Sequence, residues 1–307
     1  MIKLFDLENY VIDTSKFTNL LHDKIVTEFE ESFAQYVGAK YACSINSATN
    51  AIFLLFLNKG IKVNVPSMIP PVVLNALITS GNSINFTDDV NWVGGSYLLH
   101  DFGDYKIIDS AQRVDRDQFK NEANPQDIMF FSHYPTKPVG SCDGGTIVTN
   151  DFNKIKWLKE AVLNGMSWAE NNWDRKIKFP GYKMYMNSIQ AFIANENLRK
   201  LEENKHKLRI IRNAYNYSLN LDNISEHLYR IEVDDNRKFI EYMRSNEIIC
   251  GVHYDTQHDN PVYSSGKTFD CPNSIIKSKM TVSIPFHPNL KEEEVSKVIE
   301  KIKDYND

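Results

Sequence analysis

Cysteine is scarce in this chain, with four among 307 residues: Cys43, Cys142, Cys250 and Cys271. None are spaced as a metal-binding pair, and four are too few for a disulfide framework. A reducing cytoplasm is therefore the expected setting. No run of about 18 apolar residues occurs, so no membrane partner is expected. The opening MIKLFDLENYVID lacks the apolar core of a secretory signal. The histidines are scattered without an HExxH arrangement, and His253 and His258 in GVHYDTQH form a loose pair read as non-metal. No GxGxxG follows a strand-like run, which disfavours a nicotinamide site. An excess of positive charge is also missing. Lys and Arg number 35 against 40 Asp and Glu, a net charge of −5. That balance argues against a nucleic-acid partner held by bulk charge, and any phosphate site must be local. Internal repeats and low-complexity segments are absent.

What is present is an alternation of helix and strand. HDKIVTEFEESFAQYVG carries Ile25, Val26, Phe29, Phe33, Tyr36 and Val37 at helical spacing, with Gly38 placed to stop it. YACSI is β-prone, and NSATNAIFLLFLNKG reads as a tight turn and a buried helix. IKVNVP, KIIDSAQ, DIMFFSHYP and GTIVTND read as strands; VVLNALITSG and FNKIKWLKEAVLNG read as helices. The class is α/β with a mostly parallel sheet. A long helix is expected from Asn187, leading out of a large domain over residues 1–200. Residues 201–307 read as a small α+β domain with strands LYRIEV, IICGVHY and TVSIPFH. Its last helix has Asn289 at the expected N-cap and Glu292 three residues on.

Ligands of α/β sheets sit at the carboxyl ends of strands, and several chemical groups fall at such ends. Ser47, Ala48 and Thr49 open a helix, where free N–H groups and the helix dipole favour a phosphate. Asp109 closes one strand, with Gln112 just beyond. Ser132 closes another, and Lys137 follows in the Gly/Pro-rich turn SHYPTKPVGSCDGG. Taken alone, Lys137 reads as a surface lysine, Asp109 as a turn residue and Thr49 as an N-cap. Together they suit pyridoxal phosphate. The lysine forms a Schiff base, the carboxylate keeps the pyridine nitrogen protonated, and the turn and Ser132 hold the phosphate.

The ordered motifs resemble the DegT/DnrJ/EryC1/StrS aminotransferases, pyridoxal-phosphate enzymes that aminate nucleotide-linked keto-sugars. NSATNAI is similar to the family's Ser-Gly-Thr phosphate turn, with Ala48 in the glycine place. IIDSAQ resembles its Asp-x-Ala-Gln motif, and FFSHYPTKPVGSCDGG its lysine motif, with Asp143 in place of glutamate. GYKMYMNSIQAFI resembles the segment that reaches the neighbouring subunit's site. The resemblance implies a fold-type-I large domain, a homodimer, a glutamate donor and a nucleoside-diphosphate keto-sugar acceptor. It makes Lys137 and Asp109 catalytic. It puts Ala48, Thr49, Gln112, Ser132 and Lys183 at the cofactor, and His253 and Tyr254 on the substrate side, where simple strand packing is the alternative.

The sequence departs from the family in three places. Pro70 stands where an aromatic residue usually covers the cofactor ring. Lys183 stands where an asparagine usually meets the partner's phosphate, a place where a lysine can act as a point charge. GGSYLLHDFG runs straight into DYKIID without the usual crossover helix, so a displaced strand or altered sheet order is expected. These departures leave open an alternative, a relative that binds cofactor or nucleotide sugar without turnover.

Overall fold

A computed structural model describes residues 1–7, 10–264 and 266–306. The chain begins with α1 (Lys24–Val37), stopped by Gly38 at φ 77°, followed by β1 (Tyr41–Ile45) and α2 (Ala48–Phe56). Next come β2 (Lys62–Pro66), α3 (Pro71–Thr79), β3 (Ser83–Thr87), β4 (Tyr97–Asp101) and β5 (Lys106–Asp109). A short α4 (Gln118–Glu122) leads to β6 (Ile128–Ser132), β7 (Gly145–Thr149) and α5 (Phe152–Val162). The long α6 (Ser188–Leu219) is followed by β8 (Tyr229–Glu232), α7 (Asn236–Ser245), α8 (Pro261–Ser264), α9 (Pro272–Met280), β9 (Thr281–Ile284) and α10 (Glu292–Asn306).

The central sheet has the order β1-β7-β6-β5-β4, and β2 and β3 form a separate parallel pair. It is mixed where a mostly parallel sheet was expected: β5 and β6 run parallel, while β7 opposes both its neighbours and β4 opposes β5. The reversal of β4 follows from chain length. Residues 102–105 alone join β4 to β5, and Phe102 N–H donates to Tyr105 O across that turn, 3.0 Å. A parallel crossover needs a dozen or more residues, so the missing helix leaves a hairpin.

Both faces of the sheet are covered, which explains the unbroken apolar run of β6. Ile128 and Phe130 enter one core with Ile107 and Ile147; Met129 and Phe131 enter the other with Phe29, Phe33 and Val148. A third core gathers Ile2, Tyr229, Phe239, Val282 and Val298. α6 runs without a break through residue 200. It gives Leu198 and Leu201 to the second core and Leu208, Ile211 and Tyr215 to the third. Its start is fixed by a reciprocal capping box between Asn187 and Gln190.

Two local expectations fail. IICGVHY forms only isolated bridges, Ile248 to Ile2 and Gly251 to Ser283, because each partner meets it at a single residue. Asn289 does not cap α10. Its amide donates to Asp6, and the helix begins further on, where Glu294 accepts from Lys291 N–H at 2.9 Å.

β1 is an edge strand, so alternate N–H groups on its outer side need acceptors. Glu30 of α1 supplies one: its Oε1 accepts from Ser44 N–H at 2.6 Å, while Oε2 pairs with Lys159 Nζ of α5 at 2.7 Å. Glu30→Ala removes both contacts and strands a buried donor. It should cost about 1–3 kcal/mol, read as a lower urea midpoint; an unchanged midpoint would show that water replaces the carboxylate.

Candidate active site

Strand register assembles the rim. Gly145 pairs with Ile45 on one side and with Ser132 on the other, so the ends of β1 and β6 and the start of β7 meet. β5 runs parallel to β6, which brings Asp109 to the same end, opposite Phe130. Just past β1, Ser47 caps α2 by accepting from Asn50 N–H. That leaves the first-turn N–H groups of Ala48 and Thr49 without acceptors inside the helix. Gly145 lets this turn sit down on the sheet, since a Cβ there would lie 2.9 Å from the Ala48 backbone.

Asp109 is buried. Its Oδ1 accepts from Ala111 N–H at 2.8 Å, and its Oδ2 accepts from Tyr97 OH at 2.9 Å. Burial pushes its carboxyl up to about 6 against the pull of those donors and of the Lys137 charge. Tyr97 reaches Asp109 because β4 is reversed, which puts its first residue at the rim. Lys137 is half-buried, and its Nζ lies 3.4 Å from His227 Nε2. Desolvation lowers its amine to about 8, and the Asp109 carboxylate opposes the shift.

The lysine turn is organised around His133, a residue given no chemistry from sequence. The ring is fully buried. Nδ1 lies 2.7 Å from the Val139 carbonyl, which can only accept, so Nδ1 carries the proton. Nε2 then accepts from the Thr146 hydroxyl at 2.8 Å. Burial holds the imidazole down to about 4, so it stays neutral. Gly140 is bare for the turn's own sake, because a Cβ would lie 2.4 Å from Pro135 O. Room for a ligand to approach the backbone is therefore not what requires this glycine. Cys142, in the same turn, is exposed.

Lys137 and Gln112 open onto a cleft of 920 Å³, whose walls include His227, Arg230 and the turn around Gly94. Gln112 is held at both ends, its Oε1 accepting from Gly94 N–H at 2.8 Å and its Nε2 donating to Tyr254 OH at 3.2 Å. Tyr254 stacks on Trp92, with ring centroids 5.9 Å apart. His253 Nδ1 meets Ser283 Oγ at 2.9 Å, and burial, with the charges of Lys137 and Arg230, lowers its imidazole to about 4. Ser132 is buried at the rim, where its Oγ accepts from Tyr134 N–H at 3.3 Å.

Lys183 stands apart from this group. Its side chain is exposed, and its backbone bridges Leu163. No polar contact joins it to Ala48, Thr49 or Ser132 among the described residues. Pro70 precedes α3 as its N-cap. Sequence reasoning missed Tyr97, Trp92, His227 and Arg230; only the hairpin hidden in YLLHDFGDYKIID could have signalled the first.

The chain is similar to several known proteins. The chain is 25% identical to the spore coat polysaccharide biosynthesis protein SpsC of Bacillus subtilis, over 91% of this chain and 89% of that protein. It is 26% identical to the UDP-4-amino-4,6-dideoxy-N-acetyl-beta-L-altrosamine transaminase of Campylobacter jejuni, over 66% of this chain and 65% of that one. Its fold matches the aminotransferase TlmJ of Streptoalloteichus hindustanus, a TM-score of 0.84 at 18% identity over 99% and 98% of the two chains. The pattern of one family covers residues 6–89 and 107–303, and its gap falls on the approach to β5, where the crossover helix is missing. With its lysine turn, phosphate turn and rim carboxylate all inside the matched residues, the chain belongs to the DegT/DnrJ/EryC1/StrS aminotransferase family.

Proposed function

We propose that the protein is a pyridoxal-phosphate-dependent aminotransferase. It moves an amino group from L-glutamate to a keto-sugar carried on a nucleoside diphosphate, as a homodimer in the cytoplasm. The observation that carries this reading is the pair formed by Lys137 and Asp109, an amine and a carboxyl group each pushed toward neutrality by burial. The nucleotide-sugar transaminase among the relatives supports the substrate class. Trp173 and Ile177, 83% and 77% exposed, supply an apolar surface suited to a second copy. The cysteines are unpaired thiols, as a reducing compartment would keep them.

The residues fit the cofactor. The paired N–H groups of Ala48 and Thr49, seated against Gly145, suit a phosphate. Asp109 still has free lone pairs after its two hydrogen bonds, and above about pH 6 it is ionised and can hold a proton on a ring nitrogen. Pyridoxal phosphate supplies an electrophilic aldehyde and an electron-accepting ring. Lys137 Nζ would be the group that holds the aldehyde and, as a free amine, the base for the proton on the donor's α-carbon. Gln112 lines the cleft and is held by Tyr254 behind it. Lys183 would meet the phosphate of the partner subunit's cofactor as a point charge.

Absorbance tests the reading directly: a yellow band formed with pyridoxal phosphate should convert to the pyridoxamine form on adding L-glutamate. Lys137→Ala should lose all borohydride-trapped cofactor and slow the donor half-reaction by about 10²–10⁴-fold; trapping that persists would remove Lys137 from its role. Only the neutral amine attacks an aldehyde. Raising the pH through about 8 deprotonates Lys137, so the rate of covalent cofactor capture should climb and then level off. Asp109→Asn removes the charge that favours the ammonium and should move that midpoint to lower pH. A rate flat with pH would contradict this assignment.

A further inference from the structure

The cleft beside Lys137 holds cations of two kinds. Arg113 and Lys205 are satisfied. Arg113 pairs with Asp115 and Glu122, and Lys205 with Asp115 and Glu226. Arg230 of β8 is not. Its guanidinium donates through Nη1 to the carbonyl of His253 at 3.4 Å and forms no ion pair with a carboxylate among the described residues. Glu232, two residues along the same strand, is taken by Lys277. A guanidinium has five donors, so most of the fork is left unused.

Arg230 is also half-buried, in surroundings that favour a visiting anion. Desolvation lowers its pKa, and a partly buried cation gains more than an exposed one when a counter-charge arrives. The rings beside it are neutral, because burial keeps the His253 imidazole uncharged and the Tyr254 phenol protonated; among the described residues the one carboxylate whose field reaches it is Glu232, which Lys277 pairs. The charges of Arg230 and Lys137 both act on the His253 ring, so the two cations border one space. Both line the same cleft. Asp109, the buried carboxylate of the rim, already faces Tyr97 and Ala111.

We propose that Arg230 anchors an anionic group of a substrate in the cleft beside Lys137, either a carboxylate of the amino donor or a phosphate of the nucleotide-linked sugar. The shared chemistry is a flat, forked donor set waiting for oxygens. This proposal rests on the transaminase reading for the molecule to which the anion belongs. Recognition of the anion itself does not depend on turnover.

The experiment is calorimetric titration of the cofactor-loaded protein with glutarate, which has the donor's carboxylates but no amine, and separately with UDP. Arg230→Gln should weaken binding of one of them by about 10- to 100-fold, and Arg230→Lys should recover part of the loss. Weakened glutarate identifies the donor carboxylate, and then the apparent Kd for L-glutamate rises by a similar factor with little change in limiting rate. Weakened UDP identifies the phosphate. Equal affinities in the wild type and Arg230→Gln for both ligands, or a wild type that binds neither, overturns the proposal. Glutarate bound through Arg230 without any response to L-glutamate would sink the transaminase reading and leave the anion site standing.

Discussion

The site depends on a carboxylate held out of water. Asp109 sits at the end of β5 between two faces of packed side chains, and the cost of burying its charge is offset by the Ala111 N–H, the Tyr97 hydroxyl and the field of Lys137. The same burial acts with opposite sign on Lys137. In water an aspartate and a lysine are both fully charged at neutral pH. Here burial brings the two groups to about 6 and about 8, each about 1 pH unit from neutrality. The sheet that buries Asp109 therefore sets the charge state of the rim as well as its shape.

Placing an amine beside that carboxylate requires a rigid turn, and His133 provides it. Its full burial holds the imidazole neutral, and in that form Nδ1 donates to Val139 O while Nε2 accepts from the Thr146 hydroxyl. With Ser141 N–H donating to His133 O and His133 N–H donating to Gly144 O, residues 133–144 close on themselves around one ring. Lys137 projects from this closed loop, and its own N–H donates to Tyr134 O at 2.8 Å.

The sequence made much of this legible. Groups defined by local chemistry were found: the capped start of α2, the strand-end Asp109, the lysine in its Gly/Pro turn, the long helix from Asn187. Contacts made across long stretches of chain were not. His227 lies 90 residues from Lys137, and Tyr254 lies 142 residues from Gln112; no spacing rule reaches that far. Lys183 was placed by its neighbours in sequence, and its side chain is exposed. IICGVHY has β-prone residues but meets Ile2 and Ser283 at single points, because propensity describes a residue and a ladder needs an equally long partner.

A four-residue turn between β4 and β5 fixes much of the rim. It makes β4 run back along β5, which brings Tyr97 to the rim as a donor to Asp109. The segment before β4 supplies Trp92, which stacks on Tyr254, and Gly94, whose N–H donates to Gln112. The buried carboxylate of Asp109 and the side chain of Gln112 thus take hydrogen bonds from residues 90–106, the stretch outside the family match. The turns that carry Ala48 and Lys137 lie inside the matched residues. The rim is therefore built partly from chain that the family pattern does not cover, and its hydrogen bonding is set there by residues specific to this sequence.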